Sequence, residues 1–392
     1  MKILFVTNRN IVNTCGELRL IKNRAISLYS TYGIKGDFLV FRNDRCDAKP
    51  QEDIGAESML KKFLYSTKRP FSVVGQYKNL KSEVLTLLDG GEYSAVVLSG
   101  NLVLRLSKII KKKHPKVKLI MDIHGAIEEL IEFKGNTVSK KLFRRAAYVF
   151  LKSQEKHYIK NADAYFAVSE ALKEYLIKEY NVADKQFFIA PCAQGMQVLD
   201  PEEKKRNRAI YRAKYGVSDD EKLFIYSGGL SPWQCVDETV KLFSEVSARI
   251  GKSKLLLLTG DRSAIEKYQS DNIIVDSLPF NLVNETICAG DFAFMLRQNF
   301  ITNNVAYPNK FIEYVASGMK VIATPFVNDV ASQISKYGVG LVLDELVADV
   351  LVEYVSSLSH EYMSDIDRRQ ELLDDVCFEN RLKPVSEFIR GE

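Results

Sequence analysis

No run of about 18 apolar residues occurs in the 392-residue chain, so no segment has the composition of a membrane-spanning helix. The first apolar run, within MKILFVTNRN, meets polar residues too soon for the hydrophobic region of a secretory signal, and a cytoplasmic protein is expected. Cysteine is sparse and scattered: Cys15, Cys46, Cys192, Cys235, Cys288 and Cys377 form no Cys-x-x-Cys pair, and no histidine stands at ligand spacing from them. That pattern excludes a zinc module and a disulfide framework and fits reduced thiols. There is no Gly-x-Gly-x-x-Gly; Ser227, Gly228 and Gly229 read as a tight turn and do not argue for a dinucleotide site. Fixed-period repeats, low-complexity tracts and recognised nucleic-acid motifs are also missing.

What remains is the profile of a globular protein, 46% hydrophobic and 27% charged, long enough for two domains that each bury a core. The net charge of +5 conceals an asymmetry: residues 1–199 carry +13 and residues 200–392 carry −8. The two halves therefore face different partners.

Both halves alternate strand and helix signals. In the first, KILFVT (2–7) suits a strand buried on both faces; GELRLIKNRAISLYSTYG (16–33) has helical spacing and stops at Gly33. DFLVF (37–41), SAVVLSG (94–100), KLIMDIHG (118–125) and ADAYFAVSE (162–170) continue the series. In the second half KLFIYSGGL (222–230), KLLLLTGD (254–261), NIIV (272–275), DFAFMLR (291–297) and VGLVL (339–343) repeat it. Strand, loop and helix in this order mean parallel sheets, so two doubly wound α/β domains facing a cleft are expected. The polar, charged stretch 191–222 is read as the linker between them. Ligands of such sheets collect beyond the carboxyl ends of the strands, which nominates the loops Asn8–Gly16, His124–Gly125, Ser227–Gly229, Gly260–Asp261 and Arg297–Pro308.

Two helical patterns carry more than packing requires. Residues 137–163 interleave Lys140, Lys141, Arg144, Arg145, Lys152 and Lys156 with Leu142, Phe143, Tyr148, Val149, Phe150 and Leu151. The pattern reads either as a solvated basic face or as a surface for anionic lipid headgroups. In YPNKFIEYVASGMKVIATP (307–325), helical projection puts Phe311, Ile312, Val315, Ala316 and Met319 on one arc and Asn309, Lys310, Glu313 and Ser317 on the other. Pro308 is expected at the first helical position, where the dipole and first-turn N–H groups favour an anion. Lys310 adds positive charge, and Glu313, a turn deeper, suits a pair of hydroxyls. The plainer reading is a surface Lys310–Glu313 pair at i, i+3.

KILFVT with Gly16 opening a helix, MDIHG, ADAYFAVSEALKEYL, IYSGGL and above all PNKFIEYVASGMKVIATP resemble the GT-B glycosyltransferases, and among them family 4. The resemblance implies a Rossmann-like acceptor-binding domain over 1–195, a Rossmann-like nucleotide-sugar-binding domain over 196–378, and a C-terminal helix, 379–392, returning to the first domain. By resemblance Glu313 holds the donor ribose, and Lys310 with the helix N-terminus meets the diphosphate. Gly16 lets backbone approach the donor, Asn309, Gly228 and Gly229 are further donor-binding residues, and His124 is the catalytic, acceptor-side histidine near the transferring sugar. Arg297, just beyond its strand, is a candidate second phosphate cation. No metal or other cofactor is implied, since the nucleotide-sugar is a substrate. Implied partners are that donor and a saccharide or lipid-linked acceptor in bacterial surface polysaccharide or glycoconjugate synthesis. Transfer would be retaining, with the basic domain peripheral on the inner face of an anionic membrane and no nucleic acid involved.

Three positions depart from the family pattern. Val305 stands eight residues before Glu313 where an acidic residue is common, and Gly229 and Gln234 stand where an arginine and a lysine are. The departures keep two rivals open: a sugar-nucleotide 2-epimerase on the same fold, and a non-catalytic GT-B subunit. Trp233 reads as a ligand-stacking ring or a loop anchor, and Pro279 and Phe280 as a base-side contact or packing.

Overall fold

The computed structural model describes residues 1–10, 16–42, 59–65, 72–133, 138–191, 198–358 and 365–392. Residues 11–15 of the first candidate loop, Cys15, Cys46, Cys192 and the side chain of Phe280 lie outside the described residues. By its contacts the chain divides into two compact units, residues 1–195 with 377–392, and residues 196–376.

Unit 1 is a parallel sheet of seven strands: β1 (Lys2–Asn10), β2 (Lys35–Arg42), β3 (Met59–Tyr65), β4 (Ala95–Ser99), β5 (Lys118–Ile123), β6 (Ala164–Ala167) and β7 (Gln186–Ile189). The order is β3-β2-β1-β4-β5-β6-β7. The direction of winding reverses between β1 and β4, so a crevice opens at their carboxyl ends. β4 is buried along its whole length, as its run AVVLS requires of a strand covered on both faces. Gly100 ends it at φ 102, in the left-handed region, where a Cβ would lie 2.0 Å from Asn8 Oδ1.

The last residues of the chain belong to this unit. Tyr32 O–H donates to the carbonyl of Glu379, Arg390 Nη2 donates to that of Tyr32 at 2.9 Å, and the Phe188 and Phe388 rings meet edge to face at 5.5 Å.

Unit 2 holds six parallel strands: β8 (Lys222–Ser227), β9 (Ser253–Leu258), β10 (Ile273–Asp276), β11 (Phe292–Met295), β12 (Lys320–Ala323) and β13 (Gly340–Val342). Their order, β10-β9-β8-β11-β12-β13, places the reversal between β8 and β11. The core is aromatic at its centre, with Phe224 stacked on Phe292 and Phe294 at 4.9 and 5.5 Å. Gly340 is dictated by closeness, since a Cβ there would meet the Val321 carbonyl oxygen at 1.9 Å.

The stretch read as a linker contains a helix, Pro201–Lys214. Asp200 caps it, accepting from the N–H groups of Glu202 and Glu203 at 3.0 and 3.1 Å, with Pro201 in the first turn. Its buried residues are Lys204, Asn207 and Arg212, so no apolar stripe marks it in the sequence. Arg208 and Arg212 reach Asp291, at 2.7 and 3.4 Å, and fasten the helix to the start of β11.

Candidate functional site

At the crevice of unit 1, β5 delivers Asp122 and the residue after its end delivers His124. Asp122 is buried, and Arg24 of the Gly16–Tyr32 helix reaches it from below, Nη1 to Oδ1 at 2.5 Å. Arg24 is itself buried; its Nη2 donates to the Ala190 carbonyl at 2.7 Å, and its guanidinium lies 4.6 Å from the Phe166 ring centroid. His124 Nε2 lies 2.7 Å from Asp122 Oδ2. Burial alone would push the Asp122 carboxyl up, but Arg24 and His124 outweigh it and bring it down to about 2. The anion thus orients the imidazole and fixes which ring nitrogen faces it.

His124 lines a cavity of about 370 Å³ together with Gly100, Asn101, Asp122 and Gly125. Leu104, Ile127, Leu130 and Leu151 give it apolar surface, and Glu129 and Glu155 complete the lining. Glu155 is buried on the Val138–Tyr158 helix, accepts a hydrogen bond from Tyr180, and has its pKa raised by burial.

That helix is fixed through Glu128, which accepts from Lys152 at 2.7 Å, Tyr175 at 2.5 Å and Tyr148 at 3.1 Å. Burial opposes the Glu128 charge, yet the Lys152 and Tyr175 bonds hold it below the usual carboxylate range. With one side so fastened, Leu142, Phe143, Val149 and Phe150 are left 71%, 75%, 60% and 54% exposed. Lys141, Arg144, Arg145 and Lys156 are exposed around them, and the Arg105 guanidinium sits 5.4 Å over the Phe150 ring. The side chain of Lys140 lies outside the described residues.

At the crevice of unit 2, the turn Ser227–Gly229 follows β8 and Arg297 follows β11. The Asn309–Ala316 helix runs between β11 and β12. Pro308 is its N-cap, with extended backbone, rather than its first helical residue. Tyr314 ties the helix to the turn, its hydroxyl accepting from Ser227 N–H at 2.8 Å and donating to the Ser227 carbonyl at 3.1 Å. The Tyr226 hydroxyl lies 2.5 Å from the Gly229 carbonyl and 2.7 Å from Gln234 Oε1, its single proton shared between these two acceptors. Gln234, at a position where the resemblance calls for a cation, is thus a brace for the turn.

Arg297 is fixed by its backbone, whose N–H donates to Thr324 Oγ1 at 2.9 Å and whose carbonyl accepts from it at 2.8 Å. Its guanidinium donates to the Leu296 carbonyl, and among the described residues no carboxylate pairs with it. Burial pulls its pKa down, with Tyr226, Tyr314 and Cys235 as its titratable neighbours. Lys310 and Glu313 do form an ion pair, but Glu313 is buried at 8% exposure, so the pair is not a loose surface one.

Unit 2 thus brings together Gly228, Gly229 and Arg297 through Tyr226 and Tyr314, with Lys310, Glu313 and Asn309 on the helix that Tyr314 anchors. Gly16 begins its helix as expected, and His124 belongs to unit 1. Val305 is buried at 4% exposure. Asp122, Arg24, Glu155, Tyr226 and Tyr314 were not nominated by the sequence. An aspartate inside the apolar run KLIMDI was the one available signal.

No family model matches the chain, and no curated protein matches it in sequence. Solved structures do match over the full length. A sucrose-phosphate synthase from Thermosynechococcus elongatus superposes with a TM-score of 0.72 at 13% identity, covering 100% of this chain and 98% of that one. A glycosyltransferase from Rickettsia africae gives 0.69 at 14% identity, covering 99% and 98%. The lipopolysaccharide outer core galactosyltransferase WaaB gives 0.67 at 14% identity, with both chains fully covered. Likeness at this identity defines the fold: the chain has the GT-B architecture of two Rossmann-like domains. Among the described residues no helix is long and apolar enough to cross a membrane.

Proposed function

We propose that the chain is a nucleotide-sugar-dependent glycosyltransferase, with the donor held by unit 2 and the acceptor by unit 1. The observation that carries this reading is Arg297: a guanidinium at the topological switch point, partly withdrawn from water and matched by no carboxylate among the described residues, is a place for an anion. Lys310, paired with Glu313, and the first turn of the Asn309–Ala316 helix are the further groups assigned to the diphosphate. Glu313, buried and aligned by Lys310, accepts from the ribose hydroxyls; Gly228, Gly229 and Gly16 are the points of close backbone approach. Asn309 is a further donor contact.

The reaction is substitution at the anomeric carbon. Negative charge develops on the departing diphosphate, which is where Arg297, Lys310 and the helix N-terminus act. If configuration is retained, the leaving phosphate can take the acceptor proton, and His124, oriented by Asp122, sits on the acceptor side. The acceptor is a saccharide or lipid-linked saccharide of bacterial surface polysaccharide or glycoconjugate synthesis. No metal or other cofactor has a role in this reading.

A thermal-shift screen against UDP-, GDP-, dTDP- and CMP-sugars tests it. A true donor at about 100 times its Kd stabilises the protein by roughly 2.7 kcal/mol. Glu313→Ala should weaken that donor ~10–100-fold, the loss of hydrogen bonds to a charged acceptor of ~1.5–3 kcal/mol. A flat response to all four sugars would favour the non-catalytic subunit suggested by Val305, Gly229 and Gln234.

The reading extends to location. The exposed apolar and basic residues of the Val138–Tyr158 helix are held outward by the Glu128 network and suit an anionic membrane surface. Co-sedimentation with phosphatidylglycerol vesicles, but not with phosphatidylcholine vesicles, is expected. Phe143→Ser should weaken it by about tenfold or more, since burying one such ring is worth ~1.5–3 kcal/mol. Equal binding to both vesicle types, or none, would remove the membrane from the proposal.

A further inference from the structure

The unit 1 cavity is asymmetric in charge. Its polar lining residues are Asn101, Asp122, His124, Glu129 and Glu155, and among the described residues none of those lining it is a lysine or arginine. Arg24, which reaches the lining residue Asp122, is buried and already engaged by it and the Ala190 carbonyl. The Asp122 charge is compensated there, and Lys152, outside the lining, acts on the Glu155 carboxyl through space, while Glu129 stands at the exposed rim. Glu155 accepts from Tyr180 through Oε2 alone, which leaves its other oxygen for a ligand hydroxyl. Leu104 and Leu151 add apolar surface to the same lining, Leu151 one helical turn from Glu155. At about 370 Å³ the cavity falls in the ~300–1,000 Å³ range of small-molecule sites.

Hydrogen-bond acceptors interleaved with aliphatic carbon fit a ring with hydroxyls at its edge and C–H groups on its face. Carboxylates with no lining cation repel a phosphate or a second carboxylate. We infer that this cavity admits an uncharged sugar unit of the acceptor, its hydroxyls taken by Glu155 and His124, and rejects phosphorylated and acidic sugars. The inference rests on the glycosyltransferase reading for the word acceptor, though not for the binding itself. It separates this chain by chemistry from any enzyme that must hold a sugar phosphate in the corresponding place. A phosphate on a lipid-linked acceptor would lie outside the cavity.

Saturation-transfer NMR on the full chain provides the test. The probes are the methyl glycosides of glucose, galactose, mannose and N-acetylglucosamine, set against glucose 6-phosphate and glucuronate at equal concentration. At least one methyl glycoside should bind ten or more times tighter than either anionic sugar. Glu129→Lys, a change at an exposed position, should narrow that gap at least threefold, and Glu155→Gln added to it should narrow it further. Anionic sugars that bind as well as the neutral ones, no signal from any sugar, or a gap untouched by Glu129→Lys would each overturn the inference. A donor response in the thermal-shift screen with no neutral-sugar signal sinks this inference alone. Neutral-sugar binding with a flat donor screen sinks the transferase reading and leaves the cavity's selectivity standing.

Discussion

Asp122→Ala is expected to destabilise the protein by about 3–5 kcal/mol, the cost of breaking a buried ion pair from one side. Asp122 and Arg24 have side chains only 2% and 1% exposed, so the guanidinium cannot regain water when its partner is removed. Its second bond, to the Ala190 carbonyl, holds it in place. Asp122→Asn keeps an acceptor for one donor and should lose less. The pH dependence has a definite sign. The folded-state pKa is depressed from 3.8 to about 2, so the contribution is present above about pH 4 and disappears as pH falls through 2. Denaturant titrations of wild type and Asp122→Asn should therefore converge between pH 4 and pH 2, by about 2 kcal/mol. A deficit in the variant that stays constant over that range would mean that the carboxylate charge is not what stabilises this site.

Arg369→Ala is expected to cost ~3 kcal/mol or more and to loosen the helix that carries Lys310 and Glu313. The Arg369 side chain is 2% exposed; it grips Asp365 with two bonds, at 2.9 and 3.0 Å. Its Nη1 also donates to the carbonyls of Met319, at 2.8 Å, and Val315, at 3.3 Å. A helix ends with carbonyls that have no partner within it, and here one buried guanidinium supplies donors at and just past that end. Lys320 remains on Asp365 at 2.6 Å after the substitution, so the carboxylate keeps one cation while the two carbonyls lose theirs. Hydrogen exchange should show faster opening of amides across 309–323 than across β8 and β9. Uniform exchange in the variant would place the loss elsewhere.

The strands that form the centre of both sheets were legible because they are buried on both faces and spell continuous apolar runs, as KILFVT, SAVVLSG and KLIMDI do. The Gly16–Tyr32 helix showed for the complementary reason, an apolar face at helical spacing. The Pro201–Lys214 helix did not, because what it buries is Lys204, Asn207 and Arg212, held by Asp291 rather than by a hydrophobic stripe. The short edge strand β7 was invisible too, its four residues including an exposed Gln186 and only one fully buried side chain, Phe188.

The candidate sites divide in the same way. Gly228, Gly229, His124 and the polar arc of the Asn309–Ala316 helix could be nominated from local spacing. Arg24 with Asp122, or Tyr314 with Ser227, could not, since each pair joins residues about 90 or more positions apart. Long-range polar pairs have no periodicity to betray them.

The tail that closes on unit 1 sets an order of events during synthesis. Residues 1–195 emerge from the ribosome before unit 2, yet the segment that covers Tyr32 and Phe188 is made only after it. At ~5–20 residues per second, all of unit 2 takes roughly ten seconds or more to pass in between. Through that interval the nascent first unit presents an uncovered apolar seam to the cell, and deleting residues 377–392 would make that vulnerable interval permanent.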